Sequence, residues 1–225
     1  MDTTEKGLIR KFEAERPLVY FATVFVCLFI CLAFAATVIV GPAKSVYKAL
    51  GSSAVTSIIN KKPDRQRIAE VVDDPQSAHS LRVNVQYHDK ISPDGIVPVK
   101  YTIIDVFREA MIPLVFVISL ILATPIPYRR RLVALLYGFL IAQAYILLKF
   151  FVLTFDNYRS PDFAAYHFPG LIDFLIYLCA KFFAVTGYSS SVIVPLLIWI
   201  ISTFRAPEIA SFRDWFARAA QSSKS

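Results

Sequence analysis

Residues 18–40, LVYFATVFVCLFICLAFAATVIV, contain no charged side chain and almost no polar one. An α-helix rises about 1.5 Å per residue, so a helix of this length crosses a hydrocarbon core of about 30 Å. A cleavable signal peptide has a shorter apolar region, of about 7 to 15 residues, which favours an uncleaved anchor here. The stretch therefore predicts a transmembrane helix and an integral membrane protein.

The rest of the chain repeats this apolar character in blocks. Of the 225 residues, 56% are hydrophobic, and they are concentrated in runs rather than spread along one face of a soluble helix. Further apolar blocks occupy residues 110–127 and 132–155, and a last apolar region at 170–204 is interrupted by TGYSSS at 186–191. The formal net charge of +7 lies mainly at the ends of these blocks, which favours a topology signal over nucleic-acid binding.

The short connection between the second and third blocks is filled by three basic residues, Arg129, Arg130 and Arg131. Because Lys and Arg in short loops favour the cytoplasmic side, this connection is predicted to face the cytoplasm. The head, residues 1–17, and the basic tail, residues 205–225, are then cytoplasmic as well. Residues 41–109 lie on the outer side, and the number of crossings is even.

Four crossings satisfy this orientation if residues 184–204 form the last transmembrane helix. Residues 156–183 then form an outer loop and an interfacial helix. The alternative is five crossings with a hairpin at Tyr188, which makes the last helix, residues 191–204, short at about 21 Å and places the tail outside. The sequence favours four crossings and leaves five open.

The tail predicts an amphipathic helix, because Ile209, Phe212 and Phe216 fall on one helical face with basic residues around it. Attraction between these basic residues and anionic lipid favours a helix that lies on the cytoplasmic leaflet. Docking of a cytosolic partner on the same face is the alternative.

The outer segment predicts a small module of one helix and one β-hairpin. Residues 43–59 have amphipathic spacing, and the polar residues 61–80 predict a connector. Apolar and polar residues alternate at 81–88 and, after SPDG at 92–95, again at 97–103, which predicts two antiparallel strands. Six side chains are predicted to form its apolar face: Val83, Val85, Val97, Val99, Tyr101 and Ile103. Two interpretations remain open, in which this face docks on a membrane protein partner or is covered by the helix at 43–59.

No set of residues points to catalysis, a cofactor or a metal. The histidines, His79, His88 and His167, are dispersed without metal-ligand spacing, and the seven glycines form no phosphate-binding loop. The three cysteines fall inside apolar segments. The sequence therefore predicts a protein that is not an enzyme and has no catalytic, cofactor-binding or metal-binding residues.

Three charged side chains lie in or beside the apolar blocks: Lys149, Asp173 and Lys181. A charge within a span is costly and is by default a functional hypothesis. Lys149 lies about one and a half turns from the outer end of the third block, so its ammonium group can snorkel to the headgroups. Pairing with Asp173, or a transport role for the three charges, is the alternative.

The central blocks carry a more specific pattern. PLVF at 113–116, LATP at 122–125, RRRL at 129–132, Gly138 and Gln143 follow one another in the order of a pattern from the bacterial family of exosortase H-associated membrane proteins. The chain resembles that family over about its C-terminal half.

The final helix also resembles that family, because PLLIW at 195–199 is similar to its Pro-rich, Trp-bearing last span. Thr203-Phe204-Arg205 stands where the family pattern has Asn-Arg. The resemblance implies an inner-membrane accessory to a protein-sorting transpeptidase, with no catalytic residues to carry over. The enzymes of that system use a membrane-embedded Cys with Arg and His, whereas Cys27 and Cys31 lie in the first helix without such partners.

We therefore expect a multi-pass protein of the bacterial inner membrane that acts as a non-enzymatic accessory or assembly subunit. Its expected partners are the lipid bilayer and a membrane protein, and not nucleic acid. The alternative is a small transporter or channel subunit that uses the three membrane charges, Lys149, Asp173 and Lys181.

Overall fold

The computed structural model describes residues 17–59, 67–91, 93–158, 169–186 and 190–203. The predicted head and tail, and most of the predicted outer loop, lie outside the described residues. A π-helical turn, Phe107–Met111, joins the sheet to the second helix. The described helices and strands, in chain order, are α1 (Pro17–Ile59), β1 (Arg67–Asp73), β2 (Ser80–Tyr87), β3 (Val99–Asp105), α2 (Ile112–Ala123), α3 (Tyr128–Asn157), α4 (Gly170–Thr186) and α5 (Ser190–Thr203).

Two of the described helices, α1 and α3, are each long and apolar enough to cross a membrane. The broken pair formed by α4 and α5 passes the same test if it counts as one span. The described residues thus hold two or three candidate spans, which suggest membrane association. The second apolar block forms α2, whose 12 residues cover about 18 Å and are too few to cross a hydrocarbon core alone. Four separate spans are not confirmed.

The predicted span at 18–40 and the predicted helix at 43–59 form one helix of 43 residues, α1, which continues through Pro42. Beyond the proline, α1 is tied to the sheet by Lys44 and Lys48, whose ammonium groups lie 2.9 and 2.6 Å from the carboxylate of Asp73. The hydrogen bonds from Lys48 and Lys44 lower the pKa of Asp73 to about 2.

The sheet has three antiparallel strands in the order β1-β2-β3. The predicted pairing of β2 with β3 is confirmed, but the prediction of a polar connector at 61–80 is wrong for residues 67–73, which form β1. A two-stranded hairpin is marginally stable alone. The additional strand, β1, pairs with the other edge of β2, so β2 is the central strand.

By its contacts the chain divides into two units. In the first, residues 17–34, 114–142 and 193–203, aromatic rings pack together: Phe116 lies 5.3 Å from Phe25 and 5.8 Å from Phe29 between ring centroids. Trp199 donates a 2.8 Å hydrogen bond to the Thr124 hydroxyl. Arg131 donates to the Thr124 carbonyl at 3.1 Å, which holds the turn between α2 and α3.

The second unit, residues 35–113 and 143–192, contains the sheet. One sheet face, called the inner face, packs on the second half of α1 and on the end of α3. Val83 and Val85 lie on it and are 3% and 0% exposed. Tyr158, just after α3, donates a 2.7 Å hydrogen bond to the Val83 carbonyl, and burial raises the pKa of its phenol to about 12.

Candidate functional site

The six side chains predicted to share one docking face lie on both sides of the sheet. Val83 pairs with Thr102 and Val85 with Lys100, so an odd-numbered residue of β2 shares its face with an even-numbered residue of β3. The three predicted residues within β3 therefore point to the outer face and are half-exposed: Val99, Tyr101 and Ile103. Val97 precedes β3 and is partly buried. The prediction of one shared face is wrong.

The outer face is polar as well as apolar. The guanidinium carbon of Arg82 lies 3.7 Å from the centre of the Tyr101 ring, a cation–π contact. Asn84 donates a 3.3 Å hydrogen bond to the carboxylate of Glu70 on the neighbouring strand. These two pairs of side chains cover part of the apolar surface of the outer face.

A cleft of about 490 Å³ borders the outer edge of β3, and we call it the edge cleft. Successive strand residues point to opposite faces. The cleft is nevertheless lined by four consecutive residues of β3, 102–105, which means that the strand edge itself borders it. Its other walls are formed by Lys149, Leu153 and Asn157 on α3, Phe183 and Ala184 on α4, Ser191 on α5, and Arg108 and Glu109.

The main chain of β3 turns hydrogen-bonding groups toward this cleft. Tyr87 donates to the Pro98 carbonyl, and Val106 donates to the His79 carbonyl, which fixes the alternation of the ladder between β2 and β3. The intervening odd-numbered residues of β3 face away from β2. Accordingly the Tyr101 carbonyl accepts a 3.3 Å hydrogen bond from the Asn157 amide. The N–H and C=O groups of Ile103 lie at the same edge.

A buried ion pair lines part of the edge cleft. The Lys149 ammonium lies 2.6 Å from Oε2 of Glu109, and the two side chains are only 5% and 11% exposed. Oε1 of Glu109 accepts a 2.8 Å hydrogen bond from Arg108. Lys149 also donates to the hydroxyls of Ser190 and Ser191, at 3.5 and 3.4 Å.

Lys149 therefore neither snorkels nor pairs with Asp173, which corrects both structural interpretations of its charge. A buried ammonium requires an ion-pair partner and hydrogen bonds, and Glu109 with the two serines supplies them. Asp173 lies in the first turn of α4, where its N–H donates to the Pro169 carbonyl. Lys181 is exposed, with its ammonium 5.6 Å from the Tyr177 ring centroid.

Asn157 also lines the cleft, and its side-chain amide contacts the Thr102 hydroxyl while its carbonyl accepts a hydrogen bond from Lys100. These contacts anchor the end of α3 to β3. The cleft is thus a recess in the second unit with hydrogen-bonded polar groups in its walls.

A second cavity, of about 300 Å³, lies between α1, the inner face of the sheet and α3. We call it the inner cavity. Its walls are residues 47–55 of α1, residues 147–155 of α3, and Val71, Leu81, Val83 and Ile104 of the sheet. Tyr47 brings a hydroxyl to this region, and that hydroxyl donates a 2.7 Å hydrogen bond to Gln143. The lining is otherwise almost entirely apolar.

Several residues that shape the edge cleft were missed in the sequence. Glu109 stands one residue before the second apolar block, so it was assigned to the outer module, although its position beside the block was a usable signal. Asn157 and Ser190 gave no signal, because their roles depend on contacts with distant segments. Arg129 and Arg130, at the predicted cytoplasmic turn, are exposed.

The described parts of the chain place no three His, Cys, Asp or Glu side chains where they could together hold a metal ion. The groups that the edge cleft offers are main-chain donors and acceptors, hydroxyls, an amide and paired charges, which suit hydrogen bonding to the main chain of another polypeptide.

Comparisons of the sequence and structure with protein families, curated proteins and solved structures found no match.

Proposed function

We propose that the chain is a non-enzymatic accessory subunit of the bacterial inner membrane that holds an extended segment of a membrane protein partner in the edge cleft. The observation that carries the proposal is the outer edge of β3, which turns N–H and C=O groups toward the edge cleft. An extended segment can add to such an edge as a further strand, through main-chain hydrogen bonds.

The dimensions and lining suit a short segment. Four strand residues along the cleft cover about 13 Å, at about 3.3 Å per residue. The walls contain both apolar side chains, such as Leu153 and Phe183, and polar ones, such as Ser191 and Asn157. This mixture can accept the alternating side chains of a strand. The resemblance to exosortase H-associated membrane proteins suggests a partner that belongs to a protein-sorting system.

The main chain at Ile103 provides the test. Ile103→Pro removes the N–H that faces the edge cleft but leaves the ladder to β2 intact, because that N–H points away from β2. Val99→Pro is the matched control, since Val99 faces the same edge outside the cleft. We expect Ile103→Pro to lower the yield of a specific co-purifying membrane protein about tenfold, and Val99→Pro to leave it within about twofold, in quantitative mass spectrometry of tagged protein from native membranes.

Both variants must be inserted at the abundance of the unmodified protein. A photo-crosslinking residue in place of Leu153, which lines the cleft, should join the same partner through an extended segment. Equal partner yields from Ile103→Pro and the unmodified protein would contradict binding at this edge.

The orientation proposed with this function has four crossings, with α2 and the π-helical turn before it as the second crossing and both termini in the cytoplasm. After the native cysteines are replaced, Cys at Asp94 and Asp162 should react with an impermeant thiol reagent in intact cells whose outer membrane is permeabilised. Cys at Arg130 and Ser223 should not react. Labelling at Ser223 would favour five crossings, and labelling at Arg130 would contradict the orientation.

A small transporter or channel subunit is the second candidate, and the buried pair of Lys149 with Glu109 favours it, since a charge inside a candidate span is costly. Asp173 and Lys181 complete the charges predicted for that role. Flux through proteoliposomes separates the candidates, because an accessory subunit should leave ion permeability at the level of empty vesicles.

A further inference from the structure

We infer that the inner cavity binds one acyl chain of a membrane phospholipid. This inference does not depend on strand addition at the edge cleft, because the inner cavity lies against the inner face of the sheet, whereas the edge cleft lies at the edge of β3. Three elements line it: the second half of α1, the inner face of the sheet and the end of α3.

The cavity is large for a protein interior. Cores are packed as densely as organic crystals, and each unfilled volume destabilises the fold. A volume of about 300 Å³ is at the lower end of the range for ligand pockets. Apolar cavities of this kind exclude water and accept apolar ligands. An apolar occupant therefore removes a packing defect that the chain leaves open.

The residues around the cavity support an apolar chain over a polar ligand. Val55, Leu81, Val83 and Phe155 are each at most 5% exposed and contribute only carbon atoms to the wall. The Tyr47 hydroxyl is already bound to Gln143. An acyl chain needs no hydrogen-bond partner, so this lining can hold one without leaving a polar group unsatisfied.

The helices that form two of the walls indicate the source of the chain. Both α1 and α3 are long and apolar enough to cross a membrane, and most of the cavity-lining residues belong to these two helices. Leu50 on α1 and Leu147 on α3 line the cavity and are 47% and 42% exposed, so the cavity is open to the surface beside the ends of two candidate spans. Phospholipid acyl chains are the apolar chains that surround such spans.

Gly51 offers a direct way to fill the cavity. It lines the wall formed by α1, and a Cβ built on it would come no nearer to another side chain than 4.0 Å, from Val71. Gly51→Leu therefore projects a side chain into the open volume. Gly41→Leu is the matched control, because Gly41 lies in the same helix with nothing within 4 Å of its Cβ position.

The test uses the full chain in vesicles of phosphatidylethanolamine and phosphatidylglycerol that carry a diazirine group in one acyl chain of the phosphatidylglycerol. After illumination, peptide mapping should locate the crosslinks at residues 47–55 and 147–155. We expect Gly51→Leu to reduce these crosslinks about tenfold, and Gly41→Leu to leave them within about twofold. Ala54→Phe, on the same wall, is the second variant if Gly51→Leu does not insert.

Three results would overturn the inference: crosslinks in the unmodified protein that avoid both segments, crosslinks there that survive in both cavity-filling variants, or displacement of the label by detergent but not by unlabelled phospholipid. Since none of these readouts depends on a co-purifying protein, failure of the lipid site and failure of the proposed partner binding are separate outcomes.

Discussion

Replacing Glu109 by alanine is expected to leave the Lys149 ammonium buried without its ion-pair partner and to destabilise the protein strongly. Removing one member of a buried ion pair costs about 3–5 kcal/mol, because the remaining charge is uncompensated. For a chain of this size the midpoint of thermal unfolding in detergent should fall by about 10 °C. Lys149→Met should cost less, because Arg108 still binds the Glu109 carboxylate.

The double variant Glu109→Leu with Lys149→Met removes both charges and should recover most of the lost stability, since apolar replacement of a buried pair is often neutral or stabilising. Lys181→Gln is the matched control, because Lys181 is an exposed lysine on a neighbouring helix, and its midpoint should change little. If Glu109→Ala unfolded no earlier than Lys181→Gln, the ion pair would not be formed as the structure places it.

The same double variant tests the second candidate function. A stable, inserted protein without the two charges should leave ion permeability unchanged from that of the unmodified protein if the pair is structural. If instead the unmodified protein conducts ions in proteoliposomes and the double variant does not, the charges carry a transport function.

Strand pairing could be predicted from alternation, but register could not. The runs at 81–88 and 97–103 have the period of two that a half-buried strand requires, and they do pair. The face on which each side chain lies depends on the length of the connection between β2 and β3. A shift of one residue in the pairing register moves every side chain of a strand to the opposite face. The connection contains a 3-10 turn, His88–Lys90, and a positive φ at Gly95, which hydrophobic patterning does not reveal.

The strand β1 was missed for a related reason. Its inner face contributes only Ala69 and Val71 to the core, and its polar residues, Glu70 and Asp73, make the segment look like a connector. The ion pair of Glu109 with Lys149 lay beyond prediction, because it depends on how the end of β3 packs beside α3. Long-range pairing of this kind is set by tertiary structure and not by local spacing.

Residues of the LATP and RRRL motifs, around the second and third apolar blocks, make specific hydrogen bonds within the first unit. Trp199 is bound to Thr124 of the LATP motif, and Arg131 of the RRRL motif holds the Thr124 carbonyl. From the sequence, these residues are known only as matches to the pattern of the exosortase H-associated family. Their contacts give each a packing role that holds whether or not the chain belongs to that family.

Gly138 is expected to tolerate no large side chain, because α2 approaches α3 closely at this point. A Cβ on Gly138 would lie 2.6 Å from Cδ1 of Ile121 and 3.3 Å from Cγ1 of Val117, and both side chains are fully buried. Gly138→Leu should cost about 3 kcal/mol through overpacking and lower the unfolding midpoint by about 6 °C or more. Ala144→Leu, at an exposed position of the same helix, should change the midpoint little.

A double-mutant cycle isolates the close contact. Gly138→Ala gains about 1 kcal/mol of helix propensity but forces the end of Ile121 to move, so its net effect should be destabilising. Ile121→Val removes Cδ1 itself and alone costs about 1 kcal/mol. The double variant should then be at least as stable as Ile121→Val, since the added methyl group occupies the space that Cδ1 vacated. Simple additivity of the two losses would contradict close packing between Gly138 and Ile121.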